Sequence, residues 1–564
     1  MIRNRRIGYF LAAALVVAAA SQASVFAAGG QDASPSAAAA MAPANAAEAG
    51  MKLTAAPAEP LALPIVKEKI SIGFMSYPEL YVVSKMKGYA EMDIFQELEK
   101  RTNVAINWRE ESYIDPKPKM NLMLSTGEPE DVMWDIQLHA AGGAKKVMND
   151  GLIVPLNWYI EKYAPNLKKL LLENHQLLKE ISLDDGRIYM FPEIRLDPWT
   201  RANSGPVLRK DWLDKLGLKP PATIDEWYTV LKAFREKDPN GNGKKDEIPF
   251  VSLARSKDSW SFAPFAASFG FIDNVTNLYL DGNNVKFMAL HPNFKAYVTT
   301  LAKWYAEGLL DPEFASQDSK MMDAKMTGDI GGAYYGALSG GLGKYLSAKK
   351  AGSSYDLVPV GLPLASDGKM YTNIGAYKAL VPHGASIGKN NKHIVETVKW
   401  MDYHYTEEGS LLLNFGLEGK AHTVKDGNRI FTDLIMKNPN GLTLEEAAAK
   451  YAGGTIVQMP GFDMSGVNVQ IKNAHPQQAQ ASAIWSKFDT SKIVPNLFLP
   501  PDRTQEAAGI NAEVKTYMEE MMNKFIMGKE PIENFDKFIA TLKNLKVEKM
   551  VEYYNDAYKI WLND

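Results

Sequence analysis

Between residues 69 and 134 the chain switches repeatedly between two hydrophobic periods, and this restricts the fold more than any other feature. Residues 69–75 (KISIGFM) alternate apolar and polar side chains, as a strand does. Residues 92–102 (MDIFQELEKRT) place apolar side chains at 92, 94, 95 and 98, as a helix does. Residues 104–108 read as the next strand, 121–125 close a second helix, and 131–134 read as a third strand. This order predicts an α/β fold with a partly parallel sheet. Beyond Trp212 the pattern is mostly helical, over 223–237, 293–308, 393–415, 443–452, 505–525 and 546–561, with no repeat of fixed length. Two α/β-like blocks with abundant helices suggest two lobes able to close on a ligand.

Composition narrows the class. With 564 residues the chain holds more than one folded unit, and 46% hydrophobic with 23% charged residues is globular. Lysine plus arginine numbers 63 against 66 acidic residues, so the basic excess of a nucleic-acid binder is missing. Cysteine is absent, which excludes disulfides, thiolate zinc sites, cysteine nucleophiles and lipid attachment through an N-terminal cysteine. Arg3, Arg5 and Arg6 precede an apolar run over 9–20, and Val25 and Ala27 suit signal peptidase. Residues 1–27 are therefore expected to be a cleaved signal peptide, the alternative being an uncleaved anchor. No later stretch has about 18 consecutive apolar residues, so a soluble, non-lipidated protein outside the cytoplasm is expected. Residues 28–66 are rich in alanine and proline and poor in large apolar residues, and are expected to be a flexible leader.

The sharpest motif is DPNGNGKKDEIP at 238–249. Asp238, Asn240 and Asn242 fill positions 1, 3 and 5 of a calcium loop, Gly243 the turn position, Lys244 the carbonyl position and Asp246 position 9. Pro249 stands where the bidentate glutamate belongs, and Glu247 is left to supply that carboxylate from a tighter loop. Hard oxygen donors at alternate positions predict structural Ca²⁺. The competing reading is a surface turn rich in glycine and asparagine that binds nothing.

Several stretches carry a family resemblance. They are DIFQELEKRTNV at 93–104 with Trp108, DGLIVPL at 150–156, YAPN at 163–166, DGRIY at 185–189, LRKDWLDKLG at 208–217, GLEG at 416–419 and KFIMGKEP at 524–531. In this order they resemble the extracellular solute-binding proteins of bacterial ABC importers that take up oligosaccharides. The loop at 238–247 is similar to that of the alginate-oligosaccharide-binding members, whose metal ligands map onto Asp238, Asn240, Asn242, Lys244, Asp246 and Glu247. The resemblance implies a type II periplasmic-binding-protein fold, helix-rich, with a hinge and a ligand cleft between its lobes. It also implies a membrane permease as partner. The expected division is 67–196 for lobe 1, 197–354 for lobe 2, 355–395 returning to lobe 1, and 396–564 completing lobe 2.

Sugars are held by aromatic faces and by planar polar groups that take hydroxyls. Trp134, Asp135 and Gln137 follow a strand, in a loop where the family places cleft residues; a buried tryptophan with a capping aspartate is the alternative. Trp199 and Arg201 lie before the expected crossover, where Arg201 would pair with a sugar carboxylate. Tyr334 and Tyr335 lie among glycines, and in relatives an aromatic here stacks on sugar. Trp260 is a weaker candidate, and Trp304 and Trp400 read as core. Arg255 is a further cation available to an acidic ligand, whereas Arg209 reads as structural.

Metalloprotease, serine-hydrolase and phosphate-loop motifs are absent. SKMK at 84–87 matches one penicillin-interacting motif without its partners, and the eight histidines show no zinc spacing, His404 and His422 reading as local hydrogen bonders. The resulting expectation is a monomeric, calcium-stabilised binding protein, periplasmic or secreted, without catalysis. It captures an oligosaccharide, with an acidic one as an option, for an ABC permease. The rival is a secreted glycoside hydrolase or polysaccharide lyase. A third option is a sensor subunit that presents the sugar to a receptor.

Overall fold

The computed structural model describes residues 51–195, 204–254, 261–274, 276–372, 380–454, 457–464, 467, 475–495 and 497–563. In chain order the strands are β1 (Ile70–Ser76), β2 (Val104–Glu110), β3 (Val132–Trp134), β4 (Phe191–Ile194), β5 (Ser204–Arg209), β6 (Ile248–Phe250), a hairpin of β7 (Leu278–Asp281) and β8 (Asn284–Phe287), β9 (Gly331–Ala337), β10 (Leu357–Pro359), β11 (Leu380–Ile387), a second hairpin of β12 (His422–Lys425) and β13 (Asn428–Phe431), and β14 (Gly461–Phe462). They form two larger sheets, ordered β14-β4-β11-β3-β1-β2 and β10-β5-β9-β6. In the first, β1 runs parallel to both β2 and β3, as the strand–helix alternation implies, and β11 runs antiparallel between β3 and β4. In the second, β6 is parallel to β9, and β5 is antiparallel to β9 and β10.

Each sheet carries its own core. The first is built from 72–194 and 385–467. The second sheet is buried on both faces, and period-two alternation deals its residues out between them. Leu208, Phe250, Tyr335 and Val358 enter one cluster, and Val207, Val251, Tyr334 and Leu357 the other. Gly205 admits the helix Pro476–Trp485 onto this sheet, because a Cβ there would lie 2.3 Å from the Trp485 indole.

These cores revise the expected division. Helices Ile394–Tyr403, Glu407–Phe415 and Leu444–Tyr451 pack on the first core, so the return segment extends past residue 395 to 467, and residues 355–372 stay with the second lobe. Only 475–563 completes lobe 2. The stretch 393–415 is two helices, restarted at Thr406, whose hydroxyl accepts the Gly409 N–H.

The leader also differs from expectation over 51–66, while residues 1–50 lie outside the described residues. Asn157 Nδ2 donates to Met51 O, Thr54 donates twice to the Glu161 carboxylate, and Leu53, Leu61, Ile65 and Val66 pack against the first core. This segment is a strap fixed to lobe 1.

Candidate functional site

β1, β2, β3, β4 and β14 all point their carboxyl ends to one edge of the first sheet, because β2 and β3 parallel β1 while antiparallel β11 reverses direction between β3 and β4. The chain leaves lobe 1 from this edge after β4 and after β14, and re-enters it there at the amino end of β11. In open α/β sheets such an edge is where a crevice forms and ligands bind.

Asp135 stands at its centre, directly after β3. Its backbone is left-handed (φ 60°), which costs a non-glycine residue of order 1 kcal/mol or more and needs compensation. The compensation is on the carboxylate. His383 Nδ1 lies 2.7 Å from Oδ2, while Gly384 N–H (3.0 Å) and Gln137 Nε2 (3.1 Å) donate to Oδ1. Asp135 N–H in turn donates to Gly384 O. A Cβ at residue 384 would meet Phe191 O at 2.8 Å, so only glycine lets β4 and β11 approach this closely.

Tyr77 and His139 lie within electrostatic reach of Asp135, Glu193 and Arg195 within reach of its partner His383, and Asp463 pairs with Arg195. Tyr77 follows β1; its ring meets His139 edge-on at 5.1 Å, and its buried hydroxyl has no partner among the described residues. Burial, with Asp135 and Glu111 nearby, pushes that phenol upward. Arg195 bridges Glu193 (2.6 Å) and Asp463 (2.8 Å), so its charge is already matched. Burial lowers the His139 imidazole. Burial also opposes charge on His383, but the hydrogen bond and charge of Asp135 outweigh it and hold that imidazole above its usual value.

The residues named from the sequence are dispersed. Trp134, Asp135 and Gln137 meet at this edge, with Trp134 fully buried and parallel to the His383 ring. Tyr334 and Tyr335 lie on opposite faces of β9, each inside a core, because both faces of that sheet are covered. Neither ring is presented as a stacking surface. Trp199, Arg201, Arg255 and Trp260 lie outside the described residues. Trp304 and Trp400 are core residues, and Arg209 lies between the Trp212 and Tyr355 rings while pairing with Asp211 and Asp329. His404 and His422 bond to backbone carbonyls. His383, Tyr77, Arg195 and Asp463 escaped the sequence reading; a histidine next to glycine in an apolar strand carries no local signal.

The 238–247 loop sits at the opposite end of the second sheet. It feeds β6, whose Ile248 pairs with Gly331 at the start of β9, whereas Ser204 at the crossing pairs with Ala337 at its end. Six residue steps at about 3.3 Å separate the two ends by roughly 20 Å. The Asp238 carboxylate accepts N–H bonds from Gly241, Asn242 and Gly243. Asn240 and Asn242 turn their amide nitrogens toward Asp246, whose carboxyl is held low first by Asn242. The side-chain oxygens of Asn240 and Asn242 accept the N–H groups of Asn242 and Lys244. Glu247 is 1% exposed and neither of its carboxylate oxygens has a hydrogen-bond partner among the described residues. Burial, reinforced by Asp238 and Asp246, pushes its carboxyl up. Among the described residues no three acidic or histidine side chains converge as a metal-ligating cluster.

Two α/β lobes joined by repeated crossings, with polar groups gathered at the crossing edge of one sheet, have the architecture of the two-lobed periplasmic-binding-protein fold. The chain belongs to the bacterial extracellular solute-binding proteins, a family that matches residues 83–410, more than half of its length. It is 32% identical over 351 residues to the fructooligosaccharide ABC transporter substrate-binding protein FusA of Streptococcus pneumoniae, which is 58% of this chain and 60% of that relative's length. An EF-hand mutant of FusA solved with fructo-nystose matches with a TM-score of 0.67 at 23% identity, covering 88% of this chain and all of that one. Alginate-binding protein AlgQ2, solved without calcium ion, gives 0.65 at 24% identity, covering 88% and 99%. An HMO binding solute-binding protein associated with an ABC transporter, from Bifidobacterium longum infantis, gives 0.72 at 21% identity, covering 87% and 99%. Among the described residues no helix is long and apolar enough to cross a membrane.

Proposed function

We propose that this protein, as a monomer outside the cytoplasm, captures an oligosaccharide between its lobes and delivers it intact to an ABC importer. The observation that carries this reading is the Asp135 cluster at the crossing edge, where a buried carboxylate orients an amide and an outward-facing imidazole that can meet sugar hydroxyls. FusA, aligned over 60% of its length, supports the ligand class. The test is thermal unfolding with neutral and uronate oligosaccharides, followed by re-analysis of the sugar. One class is expected to stabilise the fold, by about 2.7 kcal/mol at a hundredfold excess over Kd, and to be recovered intact. A shortened or unsaturated product would overturn the reading in favour of a hydrolase or lyase.

The distal loop is proposed to hold structural calcium through Asp238, Asn240, Asn242, Asp246, Glu247 and the Lys244 carbonyl. The donors fit by kind: all are hard oxygens, and a buried, unpartnered carboxylate such as Glu247 gains most from a cation. Distance from the crossing edge argues for a stabilising role. Calcium at about ten times a submillimolar Kd is expected to add about 1–2 kcal/mol. Glu247→Gln is expected to raise the stability of the calcium-free protein, because it removes a buried charge, and to abolish the calcium response. Unfolding midpoints with calcium and with chelator check both. An unchanged calcium response in the variant would refute the ligand assignment.

A further inference from the structure

We propose that His383 touches the captured sugar, donating from its second ring nitrogen, so that capture takes up a proton. This rests on the capture reading above. Nδ1 is committed to Asp135 at 2.7 Å, whereas Nε2 has no partner among the described residues. The side chain is 36% exposed, against 4% for its Asp135 partner, so the dyad presents its imidazole outward and keeps its carboxylate behind. The ring lies parallel to buried Trp134, with centroids 6.3 Å apart and planes 5° apart, and its neighbour Gly384 is bonded to Asp135 through both backbone groups. The ring is therefore held at the crossing edge by a pair of backbone bonds, a carboxylate and an indole, which is the preorganisation a binding group needs.

Among the described residues, the charged and titratable groups that act on His383 come from three places. Asp135 ends β3, Glu193 lies in β4, Arg195 follows β4, and His139 lies in the short helix Ile136–His139. Arg195 is already matched by Glu193 and Asp463. With Asp135 ionised, the cationic form of His383 makes a neutral pair and offers Nε2–H as a charge-assisted donor. The neutral form offers a lone pair there. A hydrogen bond from a cation is about twice as strong as a neutral one, so a sugar oxygen favours the protonated ring. The hydrogen bond and charge of Asp135 favour the cationic ring already before the sugar arrives.

The experiment is isothermal titration calorimetry of the full-length mature protein with nystose, lacto-N-tetraose and a mannuronate trisaccharide. Each is measured from about pH 6 to 8.5 in buffers of different ionisation heat. The probe that binds is expected to bind about fivefold tighter at the acid end, with fractional proton uptake within this range. His383→Asn is expected to bind more weakly with no uptake, while His139→Gln retains the uptake. Binding by the wild-type protein without proton uptake overturns the role of His383 and leaves capture standing. Uptake that persists in His383→Asn also overturns it. Absence of binding by all three probes overturns this proposal together with the capture reading. The wild-type measurement decides even if a variant fails to fold.

Discussion

Glu161→Ala is expected to destabilise the first lobe by about 3–5 kcal/mol, the range for breaking a buried ion pair from one side. Lys168 and Glu161 are 5% and 8% exposed and 2.9 Å apart. The Glu161 carboxylate also accepts the Thr54 N–H (3.0 Å) and hydroxyl (2.6 Å), and Lys168 Nζ donates to Ala56 O. Alanine would strand the ammonium with carbonyl partners only and release the strap at Thr54. Glu161→Gln keeps an acceptor for the Thr54 hydroxyl but loses the charge, so an intermediate effect is expected. Denaturant midpoints measure the loss, and limited proteolysis within 51–66 should accelerate in step with it. A loss below about 1 kcal/mol would mean that the pair contributes little beyond packing.

This strap marks where sequence reading stops. Residues 51–66 hold only a few large apolar side chains, and their partners lie about a hundred residues away, Glu161 at a separation of 107. Composition sees the low hydrophobicity and cannot see the partners. The same holds for the lobe boundaries. An amphipathic stripe on Ile394–Tyr403 says that one face is buried, but the stripe would look the same against either core.

Local features fared better because their partners are close in sequence. Strands β1, β2 and β3 are legible at 69–75, 104–108 and 131–134, whereas β4, β11 and β14 are not, and the helices Ile224–Glu236 and Leu444–Tyr451 begin at capping boxes, Thr223 with Glu226 and Thr443 with Glu446. The 238–247 loop is legible for the same reason, since its donors lie within ten residues. The candidate binding site is half legible. Asp135 and Gln137 stand in a recognisable loop after a strand, but His383 is 248 residues from Asp135 and sits in a strand with no distinctive motif. The doublet Tyr334–Tyr335 misled because aromatic residues among glycines fit a binding loop as well as a strand buried on both faces.

Two buried groups two residues apart make the second large effect, a response to acid. His404 is fully buried, with Nδ1 3.2 Å from Pro460 O, and burial pushes its imidazole down to about 3. Its folded value lies below the unfolded one, about 6.5. Its contribution to stability is therefore complete above pH 6.5 and is lost as pH falls from there toward 3, at up to about 1.4 kcal/mol per pH unit. Asp402 has the opposite sign. Burial raises its carboxyl to about 6, although Leu167 N–H and both nitrogens of Asn166 donate to it. The folded state therefore takes up a proton here before the unfolded state does, and stability rises as pH falls from about 6 toward 4. The two responses oppose each other over that window, so the wild-type lobe should show a shallow acid limb. His404→Asn can keep a donor to Pro460 O and removes one of the two. Relative to the wild type, its stability should improve by about 2 kcal/mol between pH 6.5 and 5. Asp402→Asn should shift the other way. Denaturant unfolding of the three proteins at these two pH values tests this, and parallel pH curves for wild type and His404→Asn would show that His404 protonates alike in both states.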